Sequence, residues 1–93
     1  MTNAEIKKME EKFFKVMNTS MMRIPPCAAI VGQLWDQFNN NRELFNNPYV
    51  KIEPCGCFET DIVFVFQELG YEVVKTIPLQ NSSAVYAVLN KYN

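Results

Sequence analysis

The sequence predicts an α+β fold: three helices and a three-stranded, mainly antiparallel sheet, in the order α-α-β-α-β-β. Three observations carry this. Apolar residues recur at steps of three and four in two segments ahead of Asn41. They alternate with polar residues over 49–53 and line two further extended segments after Gly70. Between these lies an apolar segment that ends at Gly70, where a helix-terminating glycine belongs. A chain of 93 residues with 48 % apolar and 20 % charged residues suits one domain, spanning 1–93.

The first helix is expected over 3–18. Thr2 and Glu5 form a capping-box pair, and Ile6, Met9, Phe13, Val16 and Met17 make one apolar stripe. Asn18-Thr19-Ser20 ends it. Pro25 and Pro26 force the residue before each into extended geometry, and Pro26 suits the opening of a second helix over 27–39. Its apolar face is Ile30, Val31, Leu34, Trp35 and Phe38. Asn41 could cap one further turn at 42–45, and Asn46-Asn47-Pro48 is a loop.

Val50 and Ile52 define the inner side of a strand over 49–53, followed by a turn at Pro54-Cys55-Gly56. The segment from Glu59 or Thr60 to Leu69 suits either a buried strand or a helix by periodicity. Thr60-Asp61 as a cap, Gln67-Glu68-Leu69 and Gly70 decide for the helix. Strands follow over 71–77 and 84–91, joined by Gln80-Asn81-Ser82-Ser83. If the first two strands are parallel in one sheet, their helical crossover is right-handed. Both later strands carry apolar side chains on both faces: Tyr71, Val73 and Ile77 against Val74, and Val85, Ala87 and Leu89 against Tyr86 and Val88. Either helices divide between the two faces or a second copy covers one. The last strand reads as a long edge, open to pairing. The expected core contains Met9, Phe13, Val31, Leu34, Phe38, Ile52, Ile62, Phe66, Val73 and Leu89.

Composition narrows the function. A net charge of −1 gives no general attraction to phosphate backbones or anionic lipid. The absence of histidine removes the commonest general base and metal ligand. There is no run of apolar residues long enough for a transmembrane helix, and no leader pattern opens the chain, so a cytoplasmic protein is expected. Three cysteines, Cys27, Cys55 and Cys57, do not make a disulfide framework. Cys55-Gly56-Cys57 has too short a spacing for a structural zinc site, so no metal or cofactor is expected. Cys57 could be a reactive thiol beside a helix start, but no histidine is present to act as its base. Glu53, Glu59 and Asp61 read as a solvated strand residue and two helix-start acids. No phosphate loop, nucleophile elbow or dinucleotide fingerprint occurs, and no catalytic residue is assigned.

A helix followed by a hairpin resembles a winged-helix DNA reader in layout. The chemistry argues against nucleic acid, because Asp61–Leu69 offers Gln67 and acids but no Arg or Lys. Lys51 and Lys75 on candidate strands, with Tyr49, Tyr71 and Tyr86 in the same sheet, would suit a small anionic nucleotide with a base to stack. Arg23, between apolar residues ahead of the two prolines, is a further candidate cation. Phe64 and Tyr86 are candidate aromatic anchors for a protein partner.

Leu69-Gly70-Tyr71-Glu72-Val73, followed by a hairpin ending Tyr86-Ala87-Val88-Leu89, resembles a layout that recurs among small bacteriophage proteins. The likeness covers about half of the chain, and the helix opened by Pro25 and Pro26 and carrying Trp35 departs from it. It implies a phage accessory protein acting in the host cytoplasm by blocking a host enzyme or defence component, or by sequestering its nucleotide signal. The layout has no shared catalytic motif, so no residue roles carry over. Together these features point to a non-enzymatic, homo-oligomeric binding protein that occupies a partner's surface. A nucleotide sponge is the alternative, and a nucleic-acid regulator the third reading.

Overall fold

The computed structural model describes residues 1–54, 56–80 and 83–90; the expectations for Cys55, Asn81, Ser82 and Lys91 lie outside these residues. Its elements are α1 (Asn3–Met17), α2 (Pro25–Asn40), β1 (Tyr49–Ile52), α3 (Glu59–Glu68), β2 (Tyr71–Pro78) and β3 (Ala84–Asn90), with 3-10 turns at Ser20–Arg23 and Leu44–Asn46. The α+β class and the element order are those the sequence predicts.

The helix starts follow local chemistry. At α1 the Glu5 amide donates to Thr2 Oγ1 at 3.2 Å, and the Thr2 amide donates to Glu5 Oε1 at 3.2 Å. These bonds hold the Glu5 carboxyl below its usual range. α2 begins at Pro25, two residues before the expected start, because both prolines fit the first turn without losing a needed donor. Ile24 is extended at φ −96° and ψ 106°, as a residue before proline should be. The Asn41 side chain accepts from the Glu43 amide at 3.0 Å and leads into the second 3-10 turn. Helix α3 is capped at Phe58 rather than Thr60: the Asp61 carboxylate accepts from the Phe58 amide at 3.3 Å, which draws Thr60 into the first turn. Gly70 has φ +90°, the left-handed conformation that ends α3 and releases β2.

The strand order is β1-β3-β2, and both pairings are antiparallel. β1 and β2 are therefore parallel to each other, with α3 crossing between them and β3 inserted in the gap. This corrects the reading of β3 as an edge: it is the central strand, and its backbone is paired on both sides.

The edges are β1 and β2, and both are blunted. Two glutamines one helical turn apart on α2 serve the outer edge of β1. Gln37 Nε2 donates to the Lys51 carbonyl at 2.9 Å, and Gln33 Oε1 accepts from the Glu53 amide at 2.7 Å. Gln33 Nε2 also donates to the Glu53 carbonyl at 3.3 Å. The i,i+4 spacing on a helix, about 6 Å, nearly matches the i,i+2 repeat of a strand, so two side chains stand in for a neighbouring strand. On β2 the register shifts between Val73 and Lys75, a bulge at Val74, and Pro78 closes the strand.

The helices lie against one face of the sheet. Val50, Ile52, Tyr71, Tyr86 and Val88 are buried beneath them, and Thr76 Oγ1 donates to Glu59 Oε1 of α3 at 2.8 Å. The innermost side chains include Phe13, Phe38, Phe66, Ile30, Leu34 and Val65, each 0 % exposed. Phe13 sits at the centre of an aromatic cluster, with ring centroids 5.1 Å from Trp35, 5.5 Å from Phe38 and 6.3 Å from Phe45. Of the expected core, Met9, Phe13, Val31, Leu34, Phe38, Ile52, Ile62 and Phe66 are buried, whereas Val73 is half-buried and Leu89 is 59 % exposed. Leu89 falls on the face of β3 opposite Tyr86 and Val88, away from the described helices. Among the described residues no helix is long and apolar enough to cross a membrane.

Tyr71 closes the far end of the core. Its ring stacks on Phe45 at 4.9 Å, Lys12 Nζ lies 5.7 Å over it, and its hydroxyl reaches Met9 Sδ at 3.6 Å. Burial pushes its phenol up to about 12. The folded state thus holds the proton more tightly than the unfolded chain, whose phenol titrates near 10. That contribution is complete below about pH 10 and is lost as pH rises towards 12. Urea midpoints should therefore fall between pH 10 and 12, and Tyr71→Phe should remove this part of the alkaline loss. An equal fall in both proteins would refute it.

Candidate functional site

The seven candidate residues divide among three places. Tyr71 and Tyr86 belong to the core: they are 4 % and 3 % exposed, and Tyr86 packs on Phe66 at 5.9 Å. This corrects their assignment as partner or ligand contacts. Inward parity in the sheet puts both rings under the helices, and Tyr86 borders only the small hollow beside Cys57.

Tyr49, Lys51 and Lys75 lie together on the opposite, open face. The register sets Tyr49, Ala87 and Lys75 in one row and Lys51, Val85 and Ile77 in the next. Leu89 and Glu72 form a third row beyond Ala87. Tyr49 is 54 % exposed, Leu89 59 % and the bulged Val74 59 %, while Ala87 is sunk between its neighbours. Lys51 Nζ pairs with Glu53 Oε1 at 3.2 Å on the same side. The result is an apolar centre with a charged margin, carried on a hydrogen-bonded sheet.

Phe64 and Arg23 belong to a second surface. Phe64, 41 % exposed, projects from α3 between two shallow hollows. One, of about 310 Å³, is bordered by Glu59, Thr60, Val63 and Gln67. The other, of about 180 Å³, is bordered by Met21, Ile24 and Glu68, with Thr19 and Ser20 at its mouth. Arg23 is exposed in the turn beside Ile24. The residues bordering the two hollows include the acids Glu59 and Glu68 and no Lys or Arg. The sequence marks this turn through Arg23 and the two prolines, but not Ile24 itself. Its signal was the pair of prolines, which exposes the preceding apolar residue by denying it a helical place.

The described thiols, Cys27 and Cys57, border neither Phe64 hollow nor the open sheet face. Cys27 is buried in α2, and burial first, then the Asp61 carboxylate, push its thiol up. Cys57 Sγ donates to the Pro26 carbonyl at 3.3 Å. A hollow of about 180 Å³ beside Cys57, bordered by Ile52, Glu53, Ile62 and Tyr86, is smaller than the roughly 300–1,000 Å³ of ligand pockets. Among the described residues no group of three His, Cys, Asp or Glu side chains is placed to hold a metal ion.

Comparison with protein-family models, with curated proteins and with solved structures finds no match to this chain.

Proposed function

We propose that this chain is a non-enzymatic, self-associating binding protein, of the kind bacteriophages make to occupy the surface of a host protein in the host cytoplasm. The observation that carries the reading is the Phe64 surface. An exposed aromatic ring between two hollows, on a helix anchored by Ile62, Val65 and Phe66 in the core, is a rigid anchor site. Its acidic margin fits a protein partner that offers an apolar side chain flanked by lysine or arginine. The mechanism is steric: the partner's surface is covered, and no bond is made or broken.

The test uses the tagged full chain in the producing cells' extract, followed by reconstitution with the purified partner. Wild type should retain a partner stoichiometrically, and Phe64→Ala should weaken the reconstituted complex at least tenfold with an unchanged circular dichroism spectrum. A partner held equally by Phe64→Ala would overturn the assignment of this surface.

One observation favours a second reading, the nucleotide sponge. Tyr49, Lys51 and Lys75 share the open face of the sheet, the exposed ring of Tyr49 standing two residues from Lys51 along β1 and across Ala87 from Lys75. Native mass spectrometry of protein taken directly from its producing cells should then reveal a small anionic mass released on unfolding. That ligand's affinity should fall steeply with salt, whereas an apolar protein contact should not.

A further inference from the structure

We infer that the Phe64 surface receives an amphipathic helix of the partner protein, laid across α3, with an apolar stripe bordered by lysine or arginine. This deepens the proposed function and rests on that reading. Thr60, Val63, Phe64 and Gln67 stand at positions i, i+3, i+4 and i+7 of α3, and together they border the larger hollow. Four residues at that spacing form the socket that takes one apolar side chain from a facing helix. Every exposed helix has such spacings, so the lining decides which of them accepts an apolar residue. On α1 the corresponding hollow sets Lys7 and Lys8 at i+3 and i+4, with Glu5 and Glu11 beside them, and an apolar side chain there would desolvate charge. On α3 the same two places hold Val63 and Phe64. The second hollow lies on the other side of Phe64 and is bordered by Met21 and Ile24, so it gives a second residue of the same stripe an apolar socket. Phe64 stands between the two as a ridge that enters the groove of the incoming helix.

Charge and backbone select the occupant. Glu59 borders one hollow and Glu68 the other, at the two ends of α3, about 13.5 Å apart along its axis. Thr76 Oγ1 donates to Glu59 Oε1 at 2.8 Å and holds that carboxylate in place. Arg23, exposed beside Ile24, borders neither hollow. A second copy of α3 is a poor occupant. Antiparallel packing about Val63 and Phe64 sets Glu59 of each copy against Glu68 of the other, and parallel packing sets each acid against its own copy. The self-association proposed above must then use another surface. An extended strand fits no better, because the backbone of α3 is bonded within the helix and offers a strand nothing to pair with. A helix satisfies its own backbone, and basic residues on either side of its stripe answer Glu59 and Glu68. One helix over two sockets is a small contact, so the dissociation constant should fall in the micromolar range.

Fluorescence anisotropy of labelled synthetic peptides titrated with the full chain tests this. The probe is a helical peptide of about 18 residues with one leucine stripe flanked by lysine. One control carries glutamate in place of lysine, and the other is a scramble of the probe's own composition. Wild type should bind the lysine-flanked helix with a micromolar dissociation constant and each control at least tenfold more weakly. Phe64→Ala should weaken the lysine-flanked helix at least tenfold. Glu68→Lys should weaken it at least threefold and strengthen the glutamate-flanked one, with circular dichroism unchanged because this residue is exposed. Equal binding of the scramble, or binding indifferent to both Phe64→Ala and Glu68→Lys, would overturn the helical occupant. So would a lysine-flanked helix that fails to bind at about 500 µM chain. In each of these cases a partner retained through Phe64 in the capture experiment would leave the binding reading standing, whereas a capture that also ignores Phe64 would overturn both.

Discussion

Phe13→Ala should destabilise the protein by about 3–5 kcal/mol, the largest loss expected from any single truncation. Phe13 is fully buried and is in contact with Trp35, Phe38 and Phe45 together. Its removal costs the transfer free energy of the ring and leaves a cavity that three rings on two other segments cannot close at once. Small domains have roughly 5–15 kcal/mol in total, so the variant should stand near the limit of folding. Urea denaturation followed by Trp35 fluorescence measures the loss. A change below about 1.5 kcal/mol would show that the cluster can collapse around the gap, contrary to the packing described.

The second large effect is a contrast between neighbours. Val65→Asp should abolish folding, because it buries an unpaired carboxylate at a site that is 0 % exposed. Phe64→Asp, one residue away, should leave the protein folded, within about 1 kcal/mol of wild type, because that side chain already meets solvent. Phe66→Asp should be as damaging as Val65→Asp, and that match tests the assignment of this segment, whose apolar run is compatible with a strand. A strand would place 64 with 66 on one face and 63 with 65 on the other. The helix instead buries Ile62, Val65, Phe66 and Leu69 together and turns Phe64 outwards. Far-UV circular dichroism and urea titration of the three variants decide it: Phe66→Asp tolerated as well as Phe64→Asp would be incompatible with α3 as described.

The helices were legible because their signals are local. Thr2 with Glu5, Pro25 with Pro26, and Gly70 each act within one turn of the backbone they organise. The sheet was legible only in part. Alternation correctly separated Val85, Ala87 and Leu89 from Tyr86 and Val88, but both sets are apolar, so nothing in β3 says which faces the helices. Leu89 was therefore placed in the core and Tyr86 among partner contacts, each on the wrong side. In β2 the bulge at Val74 defeats a period-two reading: Tyr71 and Val73 face the helices, while Ile77 joins Lys75 on the open face. The central position of β3 depends on contacts between distant segments, which carry no local signature. Gln33 and Gln37 read as ordinary polar residues of an amphipathic helix, since their role exists only once β1 lies beside them. Of the candidate residues picked out by type and position, Arg23, Tyr49, Lys51, Phe64 and Lys75 lie at the surface. The grouping into two surfaces required the tertiary fold.

The insertion of β3 between β1 and β2 also has a kinetic meaning. Neither of those strands touches the other, so neither has a backbone partner until β3 has been made. During synthesis α1, α2 and α3 can begin to form from local contacts, while the sheet waits for its middle strand. The rate-limiting step should therefore be the docking of β3, which pairs with β1 from more than thirty residues away along the chain. Until that moment the apolar sides of β1 and β2 are uncovered together, and this is the interval in which a nascent chain is most exposed to aggregation or to chaperones.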